Sequence, residues 1–268
     1  MKINRLFAVI LILLVAIPLT AQVANGKTCS PATVKGNFGS HAEGTLFVAF
    51  PDAPTPPYPV AAVGLHSFDG EGNWTIKYSI SLGGSVVPWG ATITGTYDVT
   101  PDCKITVSGV SMPAQFMGTI MGEGMTQTIY ITYTDAARVQ SGVLKRTPVS
   151  GCSNRTIKGN YGLFGQGSLG PPVLPSFVPV AHIGKFDADG TGSFFGSETF
   201  KLASTAGNDS FTASYNVNSD CSVSAEITTD TGEVIHENGV ITGEGTFQEI
   251  HLIVTNPGWV FPDAGIRK

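Results

Sequence analysis

Two similar segments arranged in tandem constrain the fold of this chain more than any other feature of its sequence. CSPATVKGNFG at residues 29–39 returns as CSNRTIKGNYG at residues 152–162. Three more pairs recur in the same order: Phe68-Asp69 with Phe186-Asp187, YDVTPDC (97–103) with YNVNSDC (215–221), and GTIMGEG (118–124) with GVITGEG (239–245). Because similarity at a nearly constant period marks a repeated structural unit, we predict two domains of the same fold.

The repeat sets the domain boundaries. We place the first domain at residues 25–146 and the second at residues 152–268. The linker between them, residues 147–151, is too short to let the two domains move far apart.

The N-terminal residues have the composition of an export signal. Lys2 and Arg5 precede an uncharged apolar run at residues 6–19, and small residues follow it. This pattern is typical of a cleaved signal peptide, which we assign to residues 1–24, and it predicts a secreted or periplasmic protein. No second apolar stretch is long enough to cross a bilayer, so we expect no membrane span.

The four cysteines divide evenly between the two copies. Exported proteins meet oxidising conditions, so we expect the cysteines to form disulfides, for which three pairings exist. A unit that folds by itself must bond within itself. The duplication therefore predicts the pairs Cys29–Cys103 and Cys152–Cys221.

The composition favours short strands joined by tight turns. Charged residues make up 13% of the chain, against about 25% in an average soluble domain, and glycine is frequent. In the first copy we predict eight strands, at residues 36–50, 60–68, 74–82, 86–100, 104–110, 116–121, 125–134 and 138–145. The connections are short and hairpin-like, which favours an all-β chain of two tandem antiparallel up-and-down eight-stranded β-barrels. Two β-sandwich domains are the alternative.

The ends of each copy resemble those of the calycins. The first strand starts Gly36-Asn37-Phe38 or Gly159-Asn160-Tyr161, and the last ends in Lys145-Arg146 or Arg267-Lys268. In lipocalins and avidins, an aromatic residue of the first strand packs near a basic residue of the last strand. Those families usually have Trp where this chain has Phe and Tyr.

The repeated motifs together resemble bacterial secreted proteins with an allene oxide cyclase-like barrel. These motifs are Cys-Ser-x-x-Thr-x-Lys-Gly-x-aromatic-Gly, Phe-Asp and Tyr-x-Val-x-x-Asp-Cys. The resemblance covers both copies and implies a calycin barrel. Members of this group bind small apolar molecules, cyclise them or have no known role, and the resemblance supplies no catalytic residue for this chain.

Gln127 and Gln248 are candidate ligand-binding residues. Strand periodicity places each on the same face as the apolar residues that follow it at alternate positions. An amide on an apolar, inward face can orient a ligand. It can equally bond to the backbone or to water, and both interpretations remain open.

The loops after the first strand of each copy are rich in proline. Residues 50–59 and 170–179 hold nine of the 17 prolines, together with Tyr58, Leu174 and Phe177. In lipocalins the loop in this position covers the mouth of the barrel. We therefore predict that Tyr58, Leu174 and Phe177 contact an apolar small molecule or a protein partner. A stiff connector packed on its own barrel is the alternative.

Other motifs have simpler explanations. Residues 187–198 match a calcium-binding EF-hand loop at several positions, but strand-like flanks favour a hairpin turn, and we predict no metal or cofactor. The five histidines do not align between the copies and are expected on the surface or at the barrel rims. The net charge of −5 offers no basic surface for nucleic acid.

Three function classes follow. A non-catalytic binding module, holding an apolar small molecule or lipid in the lumen or under the proline-rich loops, fits best. A cyclase or isomerase acting on a hydrophobic substrate would need a titratable group inside the barrel, and no repeated one occurs. A structural or surface protein would have filled barrels, since eight strands enclose either packed side chains or room for one small ligand.

Overall fold

The computed structural model describes residues 28–50, 53–110 and 115–268. The predicted signal peptide, residues 1–24, lies outside the described residues. Strands dominate the fold, and the helices are single 3-10 turns. Within the described ranges, no helix is long and apolar enough to span a membrane.

The first copy folds into a closed eight-stranded barrel. Its strands are β1 (Gly36–Leu46), β2 (Tyr58–Phe68), β3 (Asn73–Leu82), β4 (Ser85–Val99), β5 (Lys104–Gly109), β6 (Gln115–Met121), β7 (Thr128–Tyr133) and β8 (Arg138–Arg146). Each strand pairs antiparallel with the next, and β1 also pairs with β8, which closes the barrel. The predicted up-and-down barrel is confirmed over the sandwich alternative.

The second copy repeats this topology. Its strands are β9 (Gly159–Leu169), β10 (Val178–Ala188), β11 (Ser193–Leu202), β12 (Thr205–Val217), β13 (Ser222–Thr229), β14 (Val234–Thr242), β15 (Glu249–Val254), β16 (Trp259–Val260) and β17 (Pro262–Arg267). β9 pairs with both β10 and β17, so the second barrel is closed as well. β16 and β17 together form its eighth strand, interrupted at Phe261.

A 3-10 helix plugs one end of each barrel, which we call the sealed end. The helices are Pro31–Val34 and Asn154–Ile157, and each buries an apolar residue, Val34 or Ile157, in the barrel core. The disulfides Cys29–Cys103 and Cys152–Cys221 join the residues before each helix to the turn between the fourth and fifth strands. The pairing predicted from the duplication is confirmed.

The β2–β3 and β10–β11 hairpins correct one part of the repeat alignment. The side chain of Asp69 accepts hydrogen bonds from the backbone N–H groups of Glu71 and Asn73 at 2.7 and 3.0 Å. Asp189 accepts the equivalent pair in the second hairpin. Asp189 is therefore the counterpart of Asp69, and the match of Phe68-Asp69 with Phe186-Asp187 is wrong by two residues.

The segment that resembles an EF-hand loop is this second hairpin. Its first residue, Asp187, lies in β10, and its last, Glu198, lies in β11. Gly190 and Gly192 occupy the turn with positive φ angles of 78° and 125°, a conformation that glycine adopts at little cost. The predicted hairpin is confirmed.

The two barrels pack side by side. Ala61 and Val63 of β2 form one buried cluster with Ile253 and Val260 of the second barrel. Around this cluster, the Ser81 hydroxyl donates a hydrogen bond to the carbonyl of Trp259 at 2.6 Å. The short linker predicted between the domains is consistent with this close packing.

Removing the second disulfide should destabilise the second barrel. The Cys152–Cys221 bond closes a loop with a sequence separation of 69 residues, which the chain-entropy model values at about 4 kcal/mol. We expect the double substitution Cys152→Ser, Cys221→Ser to lower the free energy of unfolding by about that amount, as measured by denaturant titration. The matched double substitution at Cys29 and Cys103 is the control for the first barrel. An unchanged unfolding midpoint would contradict the predicted role.

Candidate functional site

Aromatic side chains fill the lumen of the first barrel. The ring centroids of Phe68 and Tyr97 lie 4.9 Å apart, and those of Trp74 and Phe116 lie 5.8 Å apart. His66 lies among them, almost fully buried. Trp74 Nε1 donates a hydrogen bond to Nδ1 of His66 at 3.0 Å, and Nε2 of His66 lies 2.8 Å from the Ser40 hydroxyl. Burial lowers the pKa of His66 to about 3, so this histidine is a neutral core residue.

The second barrel has smaller side chains at equivalent positions. One row of laterally paired residues crosses four neighbouring strands in each barrel. The row is Tyr97, Val107, Phe116 and Tyr133 in the first barrel and Tyr215, Ala225, Glu237 and Val254 in the second. The tyrosine at its start is kept, and the three residues after it are replaced by smaller ones.

A cavity of about 380 Å³ occupies the resulting space. It extends from Ile157 at the sealed end to Leu174 and Trp259 at the opposite end, which we call the mouth. Its lining is mainly apolar, with a few polar side chains, which is the usual composition of a small-molecule site.

A larger groove of about 700 Å³ lies between the two barrels. It is open to solvent and includes charged side chains such as Glu43 and Lys201 among its lining residues. An enclosed apolar cavity excludes water from a ligand and an open groove does not, so we take the lumen as the candidate site.

A histidine is held between two carboxyl groups on the wall of the cavity. Nδ1 of His182 lies 2.5 Å from Oε2 of Glu198, and Nε2 lies 3.0 Å from Oδ1 of Asp263. Gly165 of β9 pairs with His182 on one side and with Asp263 on the other. A Cβ atom at Gly165 would lie 2.9 Å from Nε2 of His182, so the absence of a side chain there lets the imidazole reach Asp263.

The two carboxyl groups keep His182 charged. Burial disfavours the imidazolium, but hydrogen bonds and charge attraction from Asp263 and Glu198 outweigh it and raise the pKa of His182 to about 10. Burial raises the pKa of Asp263, although the attraction of His182 opposes the shift. The cluster is therefore an imidazolium shared by two acids.

Glu237 lines the same cavity, and among the described residues no hydrogen bond or ion pair holds its carboxyl group. It is 4% exposed and lines the lumen at the position of Phe116 in the first barrel. Burial, reinforced by the nearby Asp263, raises its pKa well above the ordinary value, while His182 opposes the shift. Its carboxyl group is consequently held as the neutral, protonated acid.

Further acidic residues lie toward the mouth. Asp209 pairs with Glu198 across β11 and β12, where the first barrel has Ala91 paired with Tyr78. A hydrogen bond with Asp230 raises the pKa of Asp209 to about 6. Glu233, in the turn before β14, also lines the cavity.

The structure places Gln127 and Gln248 at the sealed ends, where protein groups surround both amides. Nε2 of Gln127 donates to the Thr33 carbonyl at 3.1 Å, and Arg146 donates to Oε1 at 2.6 Å. Gln248 repeats the arrangement, with the Thr156 carbonyl at 2.8 Å and Arg267 at 2.8 Å. These contacts describe a structural role, and ligand binding by the two amides stays a prediction.

The three residues predicted from the proline-rich loops occupy different sites. Tyr58 is buried at the open end of the first barrel, where its hydroxyl donates to the Val48 carbonyl at 3.1 Å. Leu174 lines the mouth of the second cavity. Phe177 packs instead against the first barrel, beside Val60 and Leu82 and beside the cluster between the barrels. Of the three, the structure brings Leu174 to the candidate site.

Backbone contacts fix the start of the second proline-rich loop. The N–H of Gly258 donates to the carbonyl of Gly84 in the first barrel at 3.0 Å, and the N–H of Gly170 donates to the carbonyl of Gly258 at 2.9 Å. A Cβ atom at Gly84 would lie 2.7 Å from the Cα atom of Gly258, so the close approach requires glycine.

Sequence reasoning missed the polar cluster because it looked for titratable residues present in both copies. Each residue of the cluster corresponds to an uncharged residue at the equivalent position of the first barrel, as Glu237 corresponds to Phe116. The expectation of surface histidines is also wrong for His66, His182 and His251, which lie in the interior or between the barrels. An acidic residue at an inward position of a strand, such as Glu237 between Ile235 and Gly239, is the signal that could have found the site.

Within the described ranges, no group of three or more His, Cys, Asp or Glu side chains is arranged to hold a metal ion.

The second barrel should lose stability as the pH rises. His182 titrates near 6.5 when unfolded and near 10 when folded, so its contribution is complete below pH 6.5 and is lost toward pH 10. Glu237 acts in the same direction, because the folded state holds a proton that the unfolded state releases above about pH 4.5. We expect Glu237→Gln to become progressively more stable than the wild type between pH 5 and pH 8 in denaturant titrations.

Glu226→Gln is the matched control, since Glu226 lies on the outer surface of the barrel, where its ion pair with His236 at 3.7 Å is exposed to solvent and contributes little to stability. Its stability should follow that of the wild type at every pH. Parallel curves for Glu237→Gln and the wild type would show that Glu237 is not held protonated.

Comparison of the chain with protein-family models, with curated proteins and with solved structures returns no significant match.

Proposed function

We propose that the chain is an exported binding protein whose second barrel holds one small, largely apolar molecule in its lumen. The cavity of about 380 Å³ in the second barrel carries this proposal. A void of this size leaves the side chains around it without packing partners, which costs stability that a ligand would restore. Two disulfides, which persist in oxidising compartments, support export to the periplasm or the exterior.

The two barrels have different roles in this proposal. Packed rings occupy the first lumen, which suits a rigid scaffold, and the second lumen accepts the ligand. The first barrel thus corresponds to the structural protein with filled barrels that the sequence analysis considered, and the second barrel corresponds to the binding module. The resemblance to secreted proteins with an allene oxide cyclase-like barrel fits both roles.

The second proline-rich loop serves as the lid in this proposal. Val173 and Leu174 border the mouth, and Val173 is 55% exposed. Exposed apolar side chains beside an apolar cavity provide further contact area for a ligand. The prolines limit the conformational entropy that the loop loses when it closes.

Catalysis is the second candidate function, and Glu237 is the observation that favours it. A protonated carboxyl group in an apolar cavity is a suitable general acid. The charged His182 lies in the same cavity. These two groups meet the requirement for a titratable residue in the lumen that a cyclase or isomerase of a hydrophobic substrate would have.

Filling the lumen should abolish binding. We expect Val254→Tyr, which introduces the residue of the first barrel at that position, to occupy the cavity and to eliminate uptake of N-phenyl-1-naphthylamine, an uncharged apolar fluorophore. Uptake is measured as the increase in probe fluorescence on titration with protein. Native mass spectrometry of the wild type tests in parallel for a co-purified apolar ligand.

Val234→Tyr is the matched control, because Val234 lies in the same barrel but is 40% exposed. This variant should bind the probe as the wild type does. If Val254→Tyr, with its fold confirmed by circular dichroism, binds the probe as tightly as the wild type, the binding site lies outside the lumen and the proposal is overturned.

A further inference from the structure

The charges around the cavity of the second barrel are strongly unbalanced. Glu198, Glu237 and Asp263 lie inside, and Asp209 and Glu233 lie near the mouth. Among the described residues that line the cavity, His182 is the single basic group, and two of the acids already hold it. No lysine or arginine of the described lining balances the others, so the site has a surplus of acidic groups.

Glu237 is the acid whose bonding capacity remains unused. Its side chain is 96% buried, since 4% is exposed, yet within the described part of the chain it has no hydrogen bond and no ion pair. Buried polar groups are normally paired, and leaving one unpaired destabilises the fold. Because the carboxyl group lines the cavity, a ligand in the lumen can supply the missing partner.

The remaining lining suits the same kind of ligand. Phe194, Phe211 and Trp259 present aromatic rings to the cavity, and the faces of aromatic rings attract cations. A carboxylate ligand such as a fatty acid would be repelled by the excess of acidic groups. The imidazolium of His182 would not offset this repulsion, because it already pairs with two carboxyl groups. The charge distribution therefore disfavours anions.

We propose, building on the proposed lumen function, that the ligand of the second barrel is a hydrophobic amine whose ammonium group pairs with Glu237. The apolar part of the molecule fills the space between the aromatic rings, and the ammonium group lies among Glu237, Asp263 and Glu198. This arrangement gives each buried acid a positively charged neighbour.

The proton balance of binding follows from the state of Glu237. Burial and the neighbouring Asp263 raise the pKa of Glu237 and so favour its protonated form before a ligand binds, with His182 and Glu198 as the other charged groups acting on it. A primary alkylamine, like lysine, titrates near pH 10.4 and is an ammonium ion at neutral pH. When the ammonium pairs with Glu237, the carboxyl group loses its proton to solvent, so binding releases about one proton.

Three probes of equal chain length test the proposal: octylamine, octanol and octanoate. Isothermal titration calorimetry at pH 7, in two buffers of different ionisation enthalpy, gives the affinity and the number of protons released. Since hydrogen bonds to charged groups contribute about 1.5–3 kcal/mol, we expect octylamine to bind at least about tenfold more tightly than octanol. Octanoate should bind more weakly than either.

Glu237→Gln tests the residue. Glutamine has nearly the same shape as the neutral acid, so the fold should survive, which circular dichroism checks. The variant should lose the preference for octylamine and the proton release. Glu226→Gln, the same change on the outer surface, should keep both.

The outcomes separate this inference from the proposed function. Failure of all three probes to bind the wild type would overturn binding in the lumen, and with it the amine. Binding of octanol or octanoate as tight as that of octylamine, without proton release, would overturn the amine and leave the lumen function in place. Both comparisons use the wild type, so neither depends on the variant folding.

Discussion

Both barrels depend on one clamp at the sealed end. An arginine of the last strand, Arg146 or Arg267, bonds both to the glutamine just before the seventh strand and to a backbone carbonyl next to the 3-10 plug. In the first barrel the guanidinium also lies over the ring of Phe38, 4.3 Å from its centroid. The clamp joins the plug at the start of each repeat to the strands at its end, and it leaves the lumen of the second barrel accessible from the mouth.

With the sealed end fixed, the difference between the copies is a matter of side-chain volume. The same row of paired positions holds Phe116 and Tyr133 in one barrel and Glu237 and Val254 in the other. A carboxyl group replaces a ring, so the second lumen gains both space and acidity. One scaffold thus contains a packed core and a chemically distinct cavity.

Much of the fold could be predicted from the sequence, because strand alternation and turns are local signals. The predicted strand at residues 104–110 corresponds to Lys104–Gly109, and the predicted strand at residues 74–82 corresponds to Asn73–Leu82. The predicted strand at residues 125–134 starts too early, because Gly124–Thr126 forms a 3-10 turn. The disulfides followed from the duplication alone.

The candidate site could not be predicted in the same way. The cavity depends on the combined side-chain volumes of residues on strands that are far apart in sequence. No local sequence pattern predicts that combined volume. In the register of β10, His182 corresponds to Ala62 of the first barrel, so no repeated residue pointed to it. Gln127 and Gln248 could be named as candidates because they recur in both copies, whereas each residue of the polar cluster occurs in one copy.

The position of Phe177 links the two barrels mechanically. Its ring is anchored on the first barrel, while the preceding Leu174 borders the mouth of the second cavity. A displacement of the loop large enough to admit a molecule must therefore pull against the neighbouring domain. The first barrel therefore anchors the loop that borders the mouth of the second. Separating the two domains would alter how quickly a ligand enters and leaves the cavity, even with every cavity residue in place.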